Sequence, residues 1–176
     1  MSPNSAKEKK RDSDAHQVKK GNTWHFGYKA HVGVDRESGL VHTAEATAAN
    51  VHDVTETSKL LTRDEDEVYG DSGYLGTEKR EDAVVENKSG RKIRYKINLR
   101  PSRIKKLSKE EQAVAKEAEH AKSSVRVKVE HVFELVKKQL RFRKTRYRGL
   151  EKQKAKFNIV FALANLILAD RPCLAA

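Results

Sequence analysis

The stretch "TWHFGYKAHVGVD", Thr23 to Asp35, indicates the fold class, because apolar and smaller or polar side chains alternate along it. A period of two is typical of a β-strand with one face toward a core. The turn-forming "RESG" follows, and "LVHTAEATA" at 40–48 predicts the returning strand of a hairpin. Two more strands are predicted, at "EVYGD" ending at Asp71 and at "RKIRYKIN", residues 91–98.

Helices are expected mainly in the second half of the chain. The predicted ranges are 54–61 with Asp53 as N-cap, 77–86, 108–140, and about 150–169. "SKEE" forms a capping box that starts the third of these, and Ser123 and Ser124 predict a break within it. The order of elements predicts a mixed α/β fold, with a hairpin first and helices concentrated at the end.

The composition restricts the classes of partner. The chain of 176 residues carries a net charge of +12, which favours a polyanion such as nucleic acid. A single cysteine, Cys173, and the lack of an apolar leader predict an intracellular protein. The longest apolar run, 159–169, is too short to span a bilayer, so no membrane association is expected.

The first residues differ in composition from the rest. Residues 1–21 are charged, poor in apolar side chains and aperiodic, which predicts a disordered basic and polar segment. Residues 22–176 are then expected to form one domain that ends in a basic helical region.

The predicted helix containing "RVKVEHVFELVKKQL" places charges beside an apolar stripe. Val125, Val129, Val132, Val136 and Leu140 form the stripe, flanked by Phe133. Arg126, Glu130 and Lys137 form a second stripe along its border. Two interpretations are equally open. The charges point into a site at the end of the sheet, or Arg126 and Glu130 form an ordinary i, i+4 ion pair worth about 0.2–0.5 kcal/mol.

Asp71 and Glu130 are candidate metal ligands if the helix packs over the strand end. Converging carboxylates suit Mg²⁺ or Mn²⁺, which activate a water or hydroxyl and stabilise a phosphodiester's leaving oxygen. Arg126 and Lys137 would contact phosphate. By itself, however, Asp71 is better described as a turn residue in "GDSG", because such turns are common.

Residues 136–156 hold ten Lys or Arg residues and one acid, a local charge of +9. Aromatic Phe142 and Tyr147 alternate with basic residues there, a pattern typical of phosphate contact with base stacking, although a solvated face has the same composition. The candidate DNA-binding residues are Arg141, Arg143, Lys144, Arg146 and Arg148.

Four stretches carry a family resemblance: "KKGNTWHFGYKAHVGVD", "ANVHDVTE", "VYGDSGYLG" and "RVKVEHVFELVKKQLRFRKTRYRGL". In this order they resemble the DDE transposases of bacterial insertion sequences, of the insertion-sequence-five type. The resemblance implies an RNase H-like mixed sheet flanked by helices. It also implies an Asp-Asp-Glu triad that cuts and joins double-stranded DNA with two Mg²⁺ (or Mn²⁺) ions.

Motif by motif, Asp71 takes the place of the second aspartate and Glu130 that of the glutamate. Arg126 and Lys137 fit the pattern around that glutamate, whereas Ser123 stands where the pattern has tyrosine.

The resemblance also implies that a part of the site is missing. No apolar strand carrying an aspartate precedes Trp24, so the sheet is expected to lack its first, central strand. Asp12, Asp14 and Asp35 are conceivable substitutes, but none is predicted on a suitable strand. The expectation is an N-terminally truncated and inactive copy of a transposase in the bacterial cytoplasm, associated with the nucleoid.

The alternative is a non-catalytic DNA-binding remnant that inhibits an intact transposase. A homo-oligomer or a mixed complex with the intact enzyme is compatible with both hypotheses. A small nuclease acting alone would require a third carboxylate.

Overall fold

The computed structural model describes residues 11–170, so the first ten residues and Cys173 lie outside the described part. The strands are His16–Lys20 (β1), Thr23–Val34 (β2), Val41–Ala48 (β3), Glu67–Gly70 (β4) and Arg94–Ile97 (β5). The α-helices are Thr57–Leu60 (α1), Pro101–Ile104 (α2), Lys109–Lys138 (α3) and Leu150–Ala169 (α4). The predicted mixed α/β class is confirmed.

The strands form two separate sheets. β1, β2 and β3 make an antiparallel sheet in that order, and β4 and β5 form a parallel pair. β2 is long enough to pair with β1 through its first half and with β3 through its second half. Among residues 11–170 no strand joins the two sheets.

The prediction that residues 1–21 are disordered is wrong for the described part of that segment, which contains the strand β1. His16–Lys20 pairs with β2 in full antiparallel register, from His16 opposite Gly27 to Lys20 opposite Thr23. The segment has little apolar character of its own, so its composition gives no strand signal. The ladder and the Gly21 turn, where φ is +58°, supply the order. Polar composition therefore fails as a sign of disorder where a short segment can complete a hairpin.

Two predicted helices are wrong in detail. Asp53 does not cap the first one: a 3-10 turn at Asp53–Glu56 precedes α1, and its N-cap is His52, without a side-chain hydrogen bond. The carboxylate of Asp53 instead accepts a hydrogen bond from Lys29 Nζ. The predicted helix at 77–86 is only a 3-10 turn, Thr77–Lys79.

The long helix α3 has the predicted capping box but no break. Ser108 accepts from the Glu111 N–H, and the Glu111 carboxylate accepts from the Ser108 N–H. Ser123 and Ser124 lie inside the continuous helix, where the Ser124 hydroxyl donates to the Ala121 carbonyl at 2.8 Å. Serine bonded back to its own helix in this way is tolerated, which explains why the predicted break is wrong.

The main core lies between α3, α4 and the β2–β3 hairpin. Its buried members are Ala46, Val132, Leu135, Val136, Phe157, Val160, Phe161 and Ala164. Phe133 and Phe161 meet edge to face, with ring centroids 5.9 Å apart. The predicted apolar stripe of α3 is therefore the face that packs on the sheet, as its spacing indicates.

In the described part of the chain, every helix is too short or too polar to traverse a lipid bilayer.

Candidate functional site

Asp71 lies where β4 ends and a 3-10 turn, Ser72–Tyr74, begins. It is the N-cap of that turn: its backbone is extended, and its Oδ1 accepts a hydrogen bond from the Gly73 N–H at 2.8 Å. Asp71 therefore does act as a turn residue, because its carboxylate accepts a hydrogen bond from a backbone N–H that would otherwise have no partner in the turn. The side chain remains at the surface, so its second oxygen is available for other contacts.

A second carboxylate, Asp53, lies beside Asp71. A Cβ placed on Gly73 would be 2.9 Å from Asp71 Oδ1 and 3.1 Å from Asp53 Oδ2, so both carboxylates flank the same glycine. A side chain at this position would displace the Asp71 carboxylate oxygen, which glycine leaves in place. The sequence prediction missed this role of Asp53, which it took for a helix cap. The signal was its place in "ANVHDVTE", one of the stretches that carry the family resemblance.

Basic and polar groups of β2 surround Asp53. Lys29 Nζ is 3.0 Å from Asp53 Oδ1 and also donates to the Val51 carbonyl. The buried His31 places Nδ1 3.7 Å from the same oxygen, and its Nε2 is 2.8 Å from the Thr47 hydroxyl. Burial raises the pKa of Tyr74, and the nearby carboxylates of Asp53 and Asp71 raise it further. The tyrosine therefore keeps its proton beside the carboxylate pair.

His31 gives the fold a dependence on pH. Burial lowers its pKa and outweighs the carboxylates of Asp53 and Glu56, which act in the opposite direction. The unfolded chain then binds the proton more readily than the native protein. The contribution of neutral His31 to the free energy of unfolding is complete above its ordinary pKa of about 6.5 and falls as the pH drops below that value.

We expect urea unfolding, followed by circular dichroism, to show a loss of stability between about pH 7.5 and pH 5.5 in the original protein. His31→Gln removes the titrating group, so the loss should be smaller in that variant. His120→Gln, on the exposed surface of α3, is the matched control and should behave as the original. Equal pH dependence in the His31 variant and the original would contradict the assignment.

Arg126 and Glu130 form the ion pair that their spacing allows. Arg126 Nη2 is 3.7 Å from Glu130 Oε1 on α3, and the Glu130 side chain is 69% exposed. Arg126 is more enclosed, and its Nη1 donates to Asn98 Oδ1 at 2.9 Å. Lys137 lies over the Phe133 ring, 5.9 Å from its centroid, and lines one surface groove together with Glu130. The three predicted residues therefore share a helix face, as the periodicity indicates.

A polar network that the sequence did not reveal fixes Arg126. Asn98 follows β5, is buried, and donates to Glu119 Oε2 at 2.7 Å while accepting from Arg126. Glu119 also accepts from the Leu99 N–H and from Lys122. Burial alone would raise the pKa of Glu119, but Lys122 and Asn98 outweigh it and the net pKa is lowered. This charged network attaches α3 to the end of the parallel sheet.

The described residues do not provide a complete metal site. Asp71 has Asp53 as its neighbour across Gly73, whereas Glu130 is paired with Arg126. Between residues 11 and 170, no group of three or more His, Cys, Asp or Glu side chains could hold a metal ion. The arrangement thus does not fit a closed carboxylate triad around Mg²⁺, which binds through oxygen ligands in near-octahedral geometry.

The basic loop, residues 141–149, connects α3 to α4 and holds its basic side chains outward. All five predicted DNA-binding residues in it are exposed: Arg141, Arg143, Lys144, Arg146 and Arg148. Phe142 anchors the start of the loop, since its ring meets Phe157 edge to face with centroids 5.8 Å apart. At the other end, Asp12 accepts from the Gly149 N–H and Asp14 from the Leu150 N–H, each at 2.9 Å.

The described residues thus form a mixed α/β domain with a carboxylate at one strand end and an ordered basic loop. The chain belongs to the transposase DDE domain family, whose model matches residues 4–166. The family acts on DNA in transposition and uses divalent metal ions. No solved structure was found to match this chain.

Proposed function

We propose that this protein acts in DNA transposition and that, by itself, it binds double-stranded DNA without cutting it. The observation that carries the proposal is the basic loop of a DDE transposase domain, which presents five exposed cationic side chains on an anchored backbone. Cations held outward on a fixed loop suit the regularly spaced phosphates of DNA.

For the finer assignment, we propose that the chain is of the insertion-sequence-five type and that Asp71 and Glu130 are its metal ligands. Arg126 and Lys137 are proposed to contact DNA phosphates. The position of Asp71 at a strand end and the shared face of Arg126, Glu130 and Lys137 on α3 support this assignment. The ion pair of Glu130 with Arg126, and the lack of any group of three or more metal-ligating side chains among residues 11–170, support an incomplete site.

We also propose that the two sheets are parts of one RNase H-like sheet that lacks its central strand. An antiparallel three-stranded sheet beside a parallel pair supports this view. A two-stranded sheet is only marginally stable alone, so β4 and β5 depend on the network around Asn98 and on α3. Another subunit, of this chain or of an intact transposase, is proposed to supply what the site lacks.

DNA binding and DNA cleavage are expected to separate in this protein. We expect the protein to bind duplex DNA carrying insertion-sequence ends and to give no cleaved or joined product with Mg²⁺ or Mn²⁺. Asp71→Asn should bind with unchanged affinity, because the carboxylate does not contribute to phosphate binding through the basic loop. Mobility-shift and strand-cleavage assays on the same DNA measure both properties.

Three results would contradict parts of this proposal. Cleavage that Glu130→Gln abolishes would show that the site is complete, while cleavage that survives Glu130→Gln would show that the site is wrongly assigned. DNA binding that does not respond to salt would contradict binding through phosphates.

A second candidate function is a DNA-binding inhibitor that forms mixed complexes with an intact transposase; it is favoured by an exposed basic loop in a domain whose residues 11–170 contain no group of three or more metal-ligating side chains. In that case, adding the protein should lower the strand-transfer yield of the intact enzyme. An unchanged yield at saturating amounts of the protein would contradict this second function.

A further inference from the structure

The β1–β2 hairpin exposes two large aromatic rings on one face. Trp24 is 63% exposed and Phe26 is 51% exposed. They lie two residues apart on β2 and therefore point to the same side of the strand. Their partners across the ladder are Lys19 and Gln17, which share that face. Exposed aromatic rings of this size, placed next to each other, commonly mark an interaction surface.

Cationic groups accompany both rings. Lys19 Nζ lies 6.0 Å from the centroid of Trp24, and Arg11 Cζ lies 5.9 Å from that of Phe26. The pairs give the surface a positive charge around an aromatic centre, which suits a ligand with both negative charge and flat apolar rings.

The same face continues into a groove of about 660 Å³ between the hairpin and the basic loop. Its walls include Arg11, Phe26 and Tyr28 on one side and Arg146, Tyr147 and Arg148 on the other. The Tyr28 hydroxyl donates to Asp12 at 2.5 Å, and Asp12 also accepts from the Gly149 N–H, so both walls are tied together. Tyr147 is 54% exposed and adds a third ring.

We propose that this surface, the hairpin face with Trp24 and Phe26 together with Arg146, Tyr147 and Arg148 across the groove, binds single-stranded DNA. Unpaired bases stack on the aromatic rings, and the guanidinium groups contact the phosphates. The proposal rests on the proposed function only for its ligand class, DNA.

The spacing of the rings favours a single strand over a duplex. Same-face residues of a strand are about 7 Å apart. Neighbouring bases in a duplex strand are about 3.4 Å apart, and their faces are covered by each other. An extended single strand can present successive base faces to Trp24 and Phe26, whereas a duplex presents mainly phosphates and groove edges to them.

Trp24 is the single tryptophan of the chain, so its fluorescence reports on this surface alone. We expect a short oligothymidylate to quench that fluorescence to saturation, because a stacked base lies directly against the indole. A duplex of the same length should bind through the basic loop and quench much less. Equal quenching by both ligands would overturn the proposal.

Variants give the second measurement, by anisotropy of labelled DNA. Trp24→Ala should weaken oligothymidylate binding by about five- to 150-fold, the range for loss of one stacked base, and leave duplex affinity unchanged. Trp24→Phe should retain most of the affinity because it keeps a ring. His25→Ala is the matched control, since His25 is exposed on the opposite face of the same strand.

The outcomes distinguish this proposal from the proposed function. If Trp24→Ala and His25→Ala bind oligothymidylate equally well, or if Trp24→Ala weakens duplex and single strand alike, the single-strand site is wrong. If the original protein binds oligothymidylate with the expected Trp24 dependence but no duplex, the site stands and duplex binding by the basic loop is wrong. Trp24 is exposed, so its replacement should leave the circular dichroism spectrum unchanged, which verifies folding.

Discussion

Replacing Leu135 by alanine should lower the free energy of unfolding by about 2–5 kcal/mol, a large part of the roughly 5–15 kcal/mol that a domain of this size has. Leu135 is 2% exposed and belongs to the cluster in which α3 meets α4 and the hairpin. The substitution removes buried methyl groups and leaves a cavity, and a closely packed interior relaxes only partly around it.

Urea unfolding followed by far-ultraviolet circular dichroism should measure the loss, since α3 and α4 are the longest helices in the described residues. Tryptophan fluorescence is a poor probe here because Trp24 is already exposed in the native protein. Val127→Ala on the same helix is the matched control. Val127 is 56% exposed, so its truncation should change stability by less than about 0.5 kcal/mol. Equal effects of the two substitutions would show that the side of α3 that carries Leu135 is not packed against α4 and the hairpin.

The elements that the sequence predicts well are those whose signal is local. The alternation of "TWHFGYKAHVGVD" and the turn after it define the β2–β3 hairpin. The capping box at Ser108 and the apolar spacing of residues 125–140 define α3, and the last helix is found at the predicted bounds, Leu150–Ala169. In each case the residues that carry the pattern are the residues that make the structure.

The elements that the sequence predicts poorly depend on partners that are distant along the chain. β1 is ordered by its pairing with β2, although its own composition indicates disorder. The Asp53 carboxylate accepts a hydrogen bond from Lys29, which is 24 positions away along the chain, and does not cap a helix. The network of Asn98, Glu119 and Arg126 joins a strand end to a helix, and such a network produces no periodic pattern in the sequence. Such interactions arise from tertiary packing, which overrides local propensity.

In the candidate site, too, local spacing is predicted well and contacts between distant segments are not. The shared face of Arg126, Glu130 and Lys137 follows from helical spacing, and the structure has it. The meeting of Asp71 with Glu130 depends on how α3 crosses the strand ends, which spacing does not specify. The approach of Asp53 to Asp71 at Gly73 brings together the start of one 3-10 turn and the N-cap of another, each in a connection between larger elements. Loop positions are set by the elements they connect, so sequence pattern alone gives no prediction for them.

Removing the charge of the basic loop should have the largest effect on DNA binding. The variant combines Arg141→Asn with glutamine at Arg143, Lys144, Arg146 and Arg148. Asparagine is chosen at Arg141 because φ there is +51°, a conformation that asparagine tolerates better than most residues. At about 0.1 M salt, each phosphate that is no longer neutralised reduces affinity by up to about eightfold, so the variant should bind duplex DNA about two to four orders of magnitude more weakly.

The salt dependence tests the mechanism independently of affinity. The slope of log affinity against log salt should flatten by about 0.9 for each phosphate that the variant leaves without a cation. The matched control carries the same change in net charge, with glutamine at exposed positions near α2 and the start of α3: Arg103, Lys105, Lys106, Lys109 and Lys116. Binding that depended only on the overall +12 charge would weaken equally in both variants. If DNA binds at residues 141–149, affinity should fall, and the salt slope flatten, in the loop variant alone. The reason is that Phe142 and Gly149 anchor the backbone of this loop, which holds its cations in a fixed array.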